Sequence, residues 1–326
     1  MNVKKQKILV MVEDDLAGIE IALKENLNPY LELVSETASH ILFSGGKRLR
    51  PLLMILSARI CGYNGDQDKK ISTSFEYLHA ATLLHDDLVD DATLRRGRKA
   101  AHLIWGNSAA VLVGDFLLAR AGAIATGTDI IEVIKVVTDI IEEMSQGEIH
   151  QLINKGNIDL SESDYFEVIK RKTAALIQGA CHAGAIIAGA SEKEKAALIE
   201  YGYMLGIAFQ MIDDLLDYTA ETKDLGKETG ADLREGKLTL PVIYSLAKAN
   251  SSDHSWMKEI IKKSDFSVNE FEHLKTLLLK YGGIEYTEKL AEEYVAKAID
   301  SVLIFKPSKT RDTLQMLAEY TLSRKE

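Results

Sequence analysis

Asp86, Asp87, Asp90 and Asp91 stand together in LLHDDLVDDATLRRG, and Asp213, Asp214 and Asp217 stand in FQMIDDLLDY. On helices, Asp86 and Asp90 would lie one turn apart on one face, as would Asp213 and Asp217. Like charges at that spacing destabilise a helix, and aspartate is a poor helix former. Accepting the cost twice, inside otherwise apolar segments, points to a cation that offsets it. Carboxylate oxygens without cysteine or histidine suit Mg²⁺, which keeps waters and often also binds a substrate phosphate. One such motif could equally be a solvated acidic face; two make the metal site the better reading.

Basic residues recur beside these acids. Ser44-Gly45-Gly46-Lys47-Arg48-Leu49-Arg50-Pro51 joins glycines, cations and a helix start, where backbone N–H groups and the helix dipole can hold an anion. Arg95, Arg96, Arg98 and Lys99 follow the first acidic motif, and Lys223, Lys227, Arg234 and Lys237 follow the second. Lys170, Arg171 and Lys172 precede a Gly/Ala-rich segment. Alone, each cluster would be a solvated face; repeated beside acids, they argue for diphosphates bridged to metal.

The elements that position these residues read as helices. The chain has 326 residues, 46% hydrophobic and 27% charged, enough for a large core and too apolar for disorder. Only Pro29, Pro51, Pro241 and Pro307 interrupt it, and apolar residues such as Phe75, Leu78, Thr82 and Val89 recur at helical spacing. Sustained period-2 runs are missing, so the expected fold is all-α, one large bundle over residues 1–326 with a central cavity. Pro51 and Pro241 suit first helical positions. Gly45-Gly46, Gly62, Gly156-Asn157, Gly230, Gly236 and Gly282-Gly283 mark loops, and Asn250-Ser251-Ser252-Asp253 is the most linker-like stretch.

Lys+Arg 39 against Asp+Glu 49 leaves a net charge of −10, with no global field for nucleic acid. Cys61 and Cys181 form no CxxC pair and fit a reducing compartment, so a cytoplasmic protein is expected. The apolar run near the N-terminus is short for a signal core. The uncharged stretch Thr173–Ser191 is rich in Gly and Ala and reads as a close-packed core helix rather than a transmembrane span. Cys181, His182, Tyr201 and Tyr203 read as packing residues.

The segments GGKRLRP, EYLHAATLLHDDLVDDATLRRG, GNSAAVLVGDFLLARA, KRKTAALI, GIAFQMIDDLLDY and DLGKETGADLREGKLTLPVIY occur in this order. Together they resemble the trans-isoprenyl diphosphate synthases, or polyprenyl synthetases, over nearly the whole chain. One departure is Ala231 before Asp232, where many members carry a second aspartate. The resemblance implies the isoprenoid synthase fold and a homodimer. It implies that Asp86, Asp87, Asp90, Asp213, Asp214 and Asp217 hold three Mg²⁺ ions, and that Arg95, Lys172, Lys227 and Lys237 pair with the allylic diphosphate. Lys47, Arg50, His79 and Arg96 would bind the diphosphate of isopentenyl diphosphate. Thr173 and Gln210 would flank the reacting carbons.

In the family, bulky residues upstream of the first motif stop the growing chain. Here Ala81 and Thr82 stand five and four residues before Asp86, and Ala119–Ala125 is also mostly small. One helical turn, about 5.4 Å, approximates one isoprene unit, so elongation passes this level. The implied product has six to ten units, about octaprenyl, as in quinone side chains, with peripheral membrane association for its release. A farnesyl or geranylgeranyl synthase, a subunit of a heteromeric synthase, and a class I cyclase or head-to-head condensing enzyme are the nearer alternatives. GGKRLRP with the His79/Arg96 pair argues against a cyclase, which holds no second diphosphate. A di-iron bundle is more remote, resting on ExxH at Glu76/His79 and Glu270/His273.

Overall fold

Apolar residues at helical spacing dominate the chain, and helices dominate its structure. The computed structural model describes residues 3–219, 230–263 and 265–323. In order the chain forms α1 (Val3–Leu27), α2 (Glu32–Leu42), α3 (Leu49–Ile60), α4 (Asp68–Val89), a hairpin of β1 (Leu94–Arg95) and β2 (Arg98–Lys99), α5 (His102–Trp105) and α6 (Asn107–Thr126). It continues through α7 (Ile131–Ile153), α8 (Glu162–Ile169), a π-helical turn (Lys170–Ala174), α9 (Ala175–Ile187) and α10 (Glu192–Thr219). After these come α11 (Ala231–Arg234), α12 (Leu240–Lys248), α13 (Ser251–Lys262), α14 (Val268–Lys280), α15 (Gly283–Ser301) and α16 (Lys309–Leu322).

The chain divides into two compact units. The first comprises Met1–Glu142, Leu176–Gly202 and Ile299–Leu317; the second comprises Glu143–Ala175, Tyr203–Ala298 and Ala318–Glu326. In the first, α3 is buried continuously from Pro51 to Ala58, and α4 packs against α1, α3 and α6. A Cβ on Gly184 of α9 would come 2.3 Å from the Met54 carbonyl oxygen, so only glycine permits this approach to α3. The uncharged stretch is thus a core helix, as its composition indicated. Arg59 of α3 grips Asp15 of α1 with two bonds, at 2.6 and 2.8 Å.

The second unit is built around Ile169, Met211, Leu215, Tyr218, Leu233 and Leu274, with Phe266 and Phe271 stacked at 5.8 Å between ring centres. Gly283 packs at the Pro241 carbonyl, leaving no room for a side chain.

Four local expectations change. Pro51 is the third residue of α3, not the first, but still lies in the turn whose N–H groups lack helical acceptors. Asn250–Asp253 is a helix start rather than a linker: Asn250 Oδ1 accepts the Asp253 N–H at 2.9 Å and caps α13. Val89 is exposed at the end of α4. The hairpin was not expected. Its two-residue turn places Arg96 and Gly97 at φ of 52° and 74°, the handedness that suits a tight hairpin. Cys181 is buried, with its thiol pushed up to about 12 by burial, and Tyr201 is a core residue bonded to the Leu314 carbonyl.

Candidate active site

The first acidic motif ends α4. Asp86 and Asp87 lie in its last turn, Asp90 caps it, and the Asp90 N–H donates to the Asp86 carbonyl at 2.8 Å. No basic residue accompanies them in that turn, where the helix dipole already presents its negative end. Asp87 is 1% exposed. Its Oδ1 accepts Nε of Arg95 at 2.7 Å and also Nη2, while its Oδ2 is buried with no hydrogen bond. An orphaned carboxylate oxygen is costly unless something else satisfies it. Asp86 and Asp90 are half-buried.

Beside this motif the Gly-Gly loop, α4 and the hairpin gather the second basic set. Arg48 is buried in a left-handed conformation, φ 49°, and donates to Glu20 at 2.5 Å, Glu76 at 2.7 Å and the Leu42 carbonyl at 2.6 Å. Burial opposes its charge, but Glu20 and Glu76 more than restore it. Arg48 thereby clamps the loop from which exposed Lys47 and half-buried Arg50 project. Arg96 donates to the Gly45 carbonyl and ties the hairpin to the same loop. Half-buried His79 faces these cations. Burial, and then Arg50, Arg96, Arg95 and Arg48, hold its imidazole well below the usual range, so it is neutral near pH 7. Lys47, Arg50, His79 and Arg96 all belong to the first unit. Crowded guanidiniums favour an anion of high charge.

The second motif closes α10, again with no basic residue in the last turn. Asp213 is exposed, whereas Asp214 and Asp217 face inward. Asp217 accepts the N–H groups of Ala231 at 3.2 Å and Asp232 at 3.1 Å, capping α11. Asp214 accepts Tyr165 Oη at 2.6 Å and Gln210 Nε2 at 2.7 Å, and Thr173 Oγ1 donates to Gln210 Oε1 at 2.7 Å. Burial, with the charge of Asp232, holds Asp214 well above the usual carboxylate range; the two donors offset part of this. Thr173 and Gln210, paired in the sequence reading, are therefore in direct contact.

The cations assigned to the allylic diphosphate have carboxylate partners: Arg95 with Asp87, Lys172 with Glu148, and Lys237 with Glu235 at 2.7 Å. Lys227 lies outside the described residues. Lys172 and Thr173 sit in the π-helical turn, against Gly147, where a Cβ would come 2.6 Å from the Lys172 nitrogen. Such turns recur at functional sites. Ala81 is fully buried and Thr82 half-buried, its hydroxyl bonded to the His79 carbonyl at 2.9 Å. Sequence reasoning missed Arg48, Glu76, Glu148 and Tyr165. Of these, Arg48 carried a signal in its place in the basic loop, and Glu76 stood out only through the ExxH spacing, which pointed to a different role.

The di-iron alternative is overturned. Glu76 is paired with Arg48, His79 faces arginines, Glu270 belongs to a capping box with Ser267, and His273 packs edge-on to Trp256 at 4.3 Å. Among the described residues, no three histidine, cysteine, aspartate or glutamate side chains gather into a ready-made metal site.

The polyprenyl synthetase family model matches residues 31–278. The chain belongs to that family. As a polyprenyl synthetase it is a prenyltransferase on the all-helical isoprenoid synthase fold, as the ordered motifs implied. It is 36% identical to the octaprenyl diphosphate synthase of Escherichia coli K12 over 98% of both chains. Its structure is similar to that of the polyprenyl synthase of Caulobacter crescentus CB15 in complex with calcium and isoprenyl diphosphate, with a TM-score of 0.93, 36% identity and 98% of each chain covered. It is also similar to a decaprenyl diphosphate synthase of Rhodobacter capsulatus, with a TM-score of 0.92 and 37% identity over 98% of this chain and 99% of that one.

Proposed function

We propose that this polyprenyl synthetase, acting as one catalytic domain, extends an allylic diphosphate by successive trans 1'-4 condensations with isopentenyl diphosphate. The product is about octaprenyl diphosphate, made for a quinone side chain. The observation that carries this reading is the pair of aspartate motifs, each at the negative end of a helix and each accompanied by cations. The small residues Ala81 and Thr82 and the octaprenyl-forming relative support the length.

The aspartates fit Mg²⁺: the donors are all oxygen, and Asp87 Oδ2 is buried without a partner. Asp86, Asp87, Asp90, Asp213, Asp214 and Asp217 would hold the ions, three with substrate bound. Because Mg²⁺ retains water and takes phosphate oxygens, a ready-made cage of three carboxylates is not required. When bound, the metal supplies positive charge that stabilises diphosphate as a leaving group.

Arg95, Lys172, Lys227 and Lys237 grip the allylic diphosphate and stabilise it more as its charge grows on leaving. Lys47, Arg50, His79 and Arg96 hold isopentenyl diphosphate; neutral His79 contributes a hydrogen bond rather than a charge. Thr173 and Gln210 turn their oxygens toward the allylic carbons, whose developing positive charge they favour. The alkene attacks, the proton leaves to the departed diphosphate, and a dry site keeps water from forming the alcohol. The working form is a cytoplasmic homodimer that releases product at a membrane surface.

Incubating the protein with Mg²⁺, farnesyl diphosphate and labelled isopentenyl diphosphate, then sizing the dephosphorylated products, tests this. A narrow product near eight units is expected. Products stopping at three or four units would overturn the length, and no incorporation by folded protein would assign the chain to a heteromeric synthase.

A further inference from the structure

Tyr165 has no part in the chemistry described so far, yet its buried hydroxyl ends a continuous chain of hydrogen bonds. Thr173 Oγ1 donates to Gln210 Oε1 at 2.7 Å, Gln210 Nε2 donates to Asp214 Oδ1 at 2.7 Å, and Tyr165 Oη donates to Asp214 Oδ2 at 2.6 Å. The direction of this chain matters. Because Gln210 Nε2 is the atom on Asp214 Oδ1, the amide presents its NH₂ inward. The carbonyl of Gln210 must then face Thr173, whose only hydroxyl proton goes to it. Beyond these bonds Thr173 Oγ1 and Gln210 Oε1 keep oxygen lone pairs, the negative ends of two dipoles, and Gln210 keeps one N–H. Were the amide reversed, Gln210 would offer N–H there instead.

The backbone brings Tyr165 and Thr173 together by a specific device. They are separated by eight residues along α8 and the π-helical turn. On an unbroken α-helix, eight residues leave two side chains roughly 80° apart. A π-turn takes in about one extra residue, so the separation closes to about two full turns and both side chains share a face. Tyr165 is itself fixed, 3% exposed, in edge contact with Phe166 at 5.5 Å and within the core of the second unit.

We propose that Tyr165 is a positioning residue for the allylic ionisation: its hydroxyl fixes the plane of Asp214, which fixes the amide of Gln210, which orients Thr173. This rests on the prenyl-transfer reading above. Preorganised dipoles aimed at developing charge act on the transition state more than on the bound substrate. Tyr165→Phe removes one oxygen and keeps the buried ring. It should lower kcat for condensation at least tenfold while the KM of either substrate changes less than threefold. A structural role alone would not discriminate charge, so the deciding readout is binding. An allylic diphosphate analogue carrying an ammonium at the cationic carbon is compared with its uncharged carbon isostere. The parent should prefer the ammonium; Tyr165→Phe should lose at least tenfold of that preference, with the isostere bound as before.

An unchanged preference would overturn the proposal, whatever happens to kcat. If the parent protein shows no incorporation of isopentenyl diphosphate, the prenyl-transfer reading itself has failed, which the same assay separates. Should Tyr165→Phe not accumulate as folded protein, a fluorinated tyrosine at 165 keeps the hydroxyl but changes its donor strength. The preference must then shift, and constancy would count against the relay.

Discussion

Lys47, Arg48 and Arg50 share one basic run, yet Arg48 is buried and clasped by Glu20, Glu76 and a backbone carbonyl, whereas Lys47 is exposed. Arg48→Met would leave Glu76 buried without its cation, at a cost of about 3–5 kcal/mol measurable by chemical denaturation. Lys47→Ala should move stability by less than about 0.5 kcal/mol while raising the KM for isopentenyl diphosphate. Residue type alone could identify the basic run; only the neighbours on α1 and α4 separate the clamp from the residues proposed to bind diphosphate. His79 yields a second expectation. Its imidazole is held neutral when folded, so below about pH 6.5 the unfolded chain binds a proton that the native protein does not. Its contribution is therefore intact above that pH and is lost as pH falls, by up to about 1.4 kcal/mol per unit. His79→Gln should flatten the decline in urea midpoint between about pH 7 and about pH 5.5.

Long elements were legible because apolar spacing persists over several turns. The helices carrying both aspartate motifs follow directly from it, as does the burial of α9. The hairpin and the π-helical turn were not. Strands of two residues are too short to show alternation, and a π-turn depends on what packs against it, here Gly147 of α7. That contact is testable. In Gly147→Ala the new Cβ would lie 2.6 Å from the Lys172 nitrogen and 2.8 Å from Arg171 Cβ. Overpacking should cost about 1–3 kcal/mol in thermal unfolding, and displacement of Lys172 and Thr173 should lower kcat. The Asn250–Asp253 stretch illustrates the opposite ambiguity: the polar residues that populate linkers also start helices, and the apolar spacing that follows decides between them.

At the scale of the molecule, α6 is the one described helix long and apolar enough to cross a membrane, and only 39% of its most apolar window is buried. α6 packs on α4 and buries Val113, Leu117, Ala121 and Ile124, while Ser108, Leu112, Asp115, Ala119 and Ala123 are exposed. Asp115 and Arg120 interrupt α6, so its apolar character does not show as a charge-free stretch in the sequence. An isologous dimer is the simplest cover for such a face. If the proposed homodimer forms through this face, Leu112→Glu, at a position 65% exposed, should give monomers where the parent sediments as a dimer; a persisting dimer would place the interface elsewhere. The cations around the Gly-Gly loop have one more consequence. They form a small positive island on a molecule whose net charge is −10. At physiological salt an approaching anion feels these cations only within about a Debye length, roughly 8 Å. A compact diphosphate fits inside that range and can be held at close quarters. A polyanionic polymer would extend beyond that range, over a molecule whose net charge offers it no attraction.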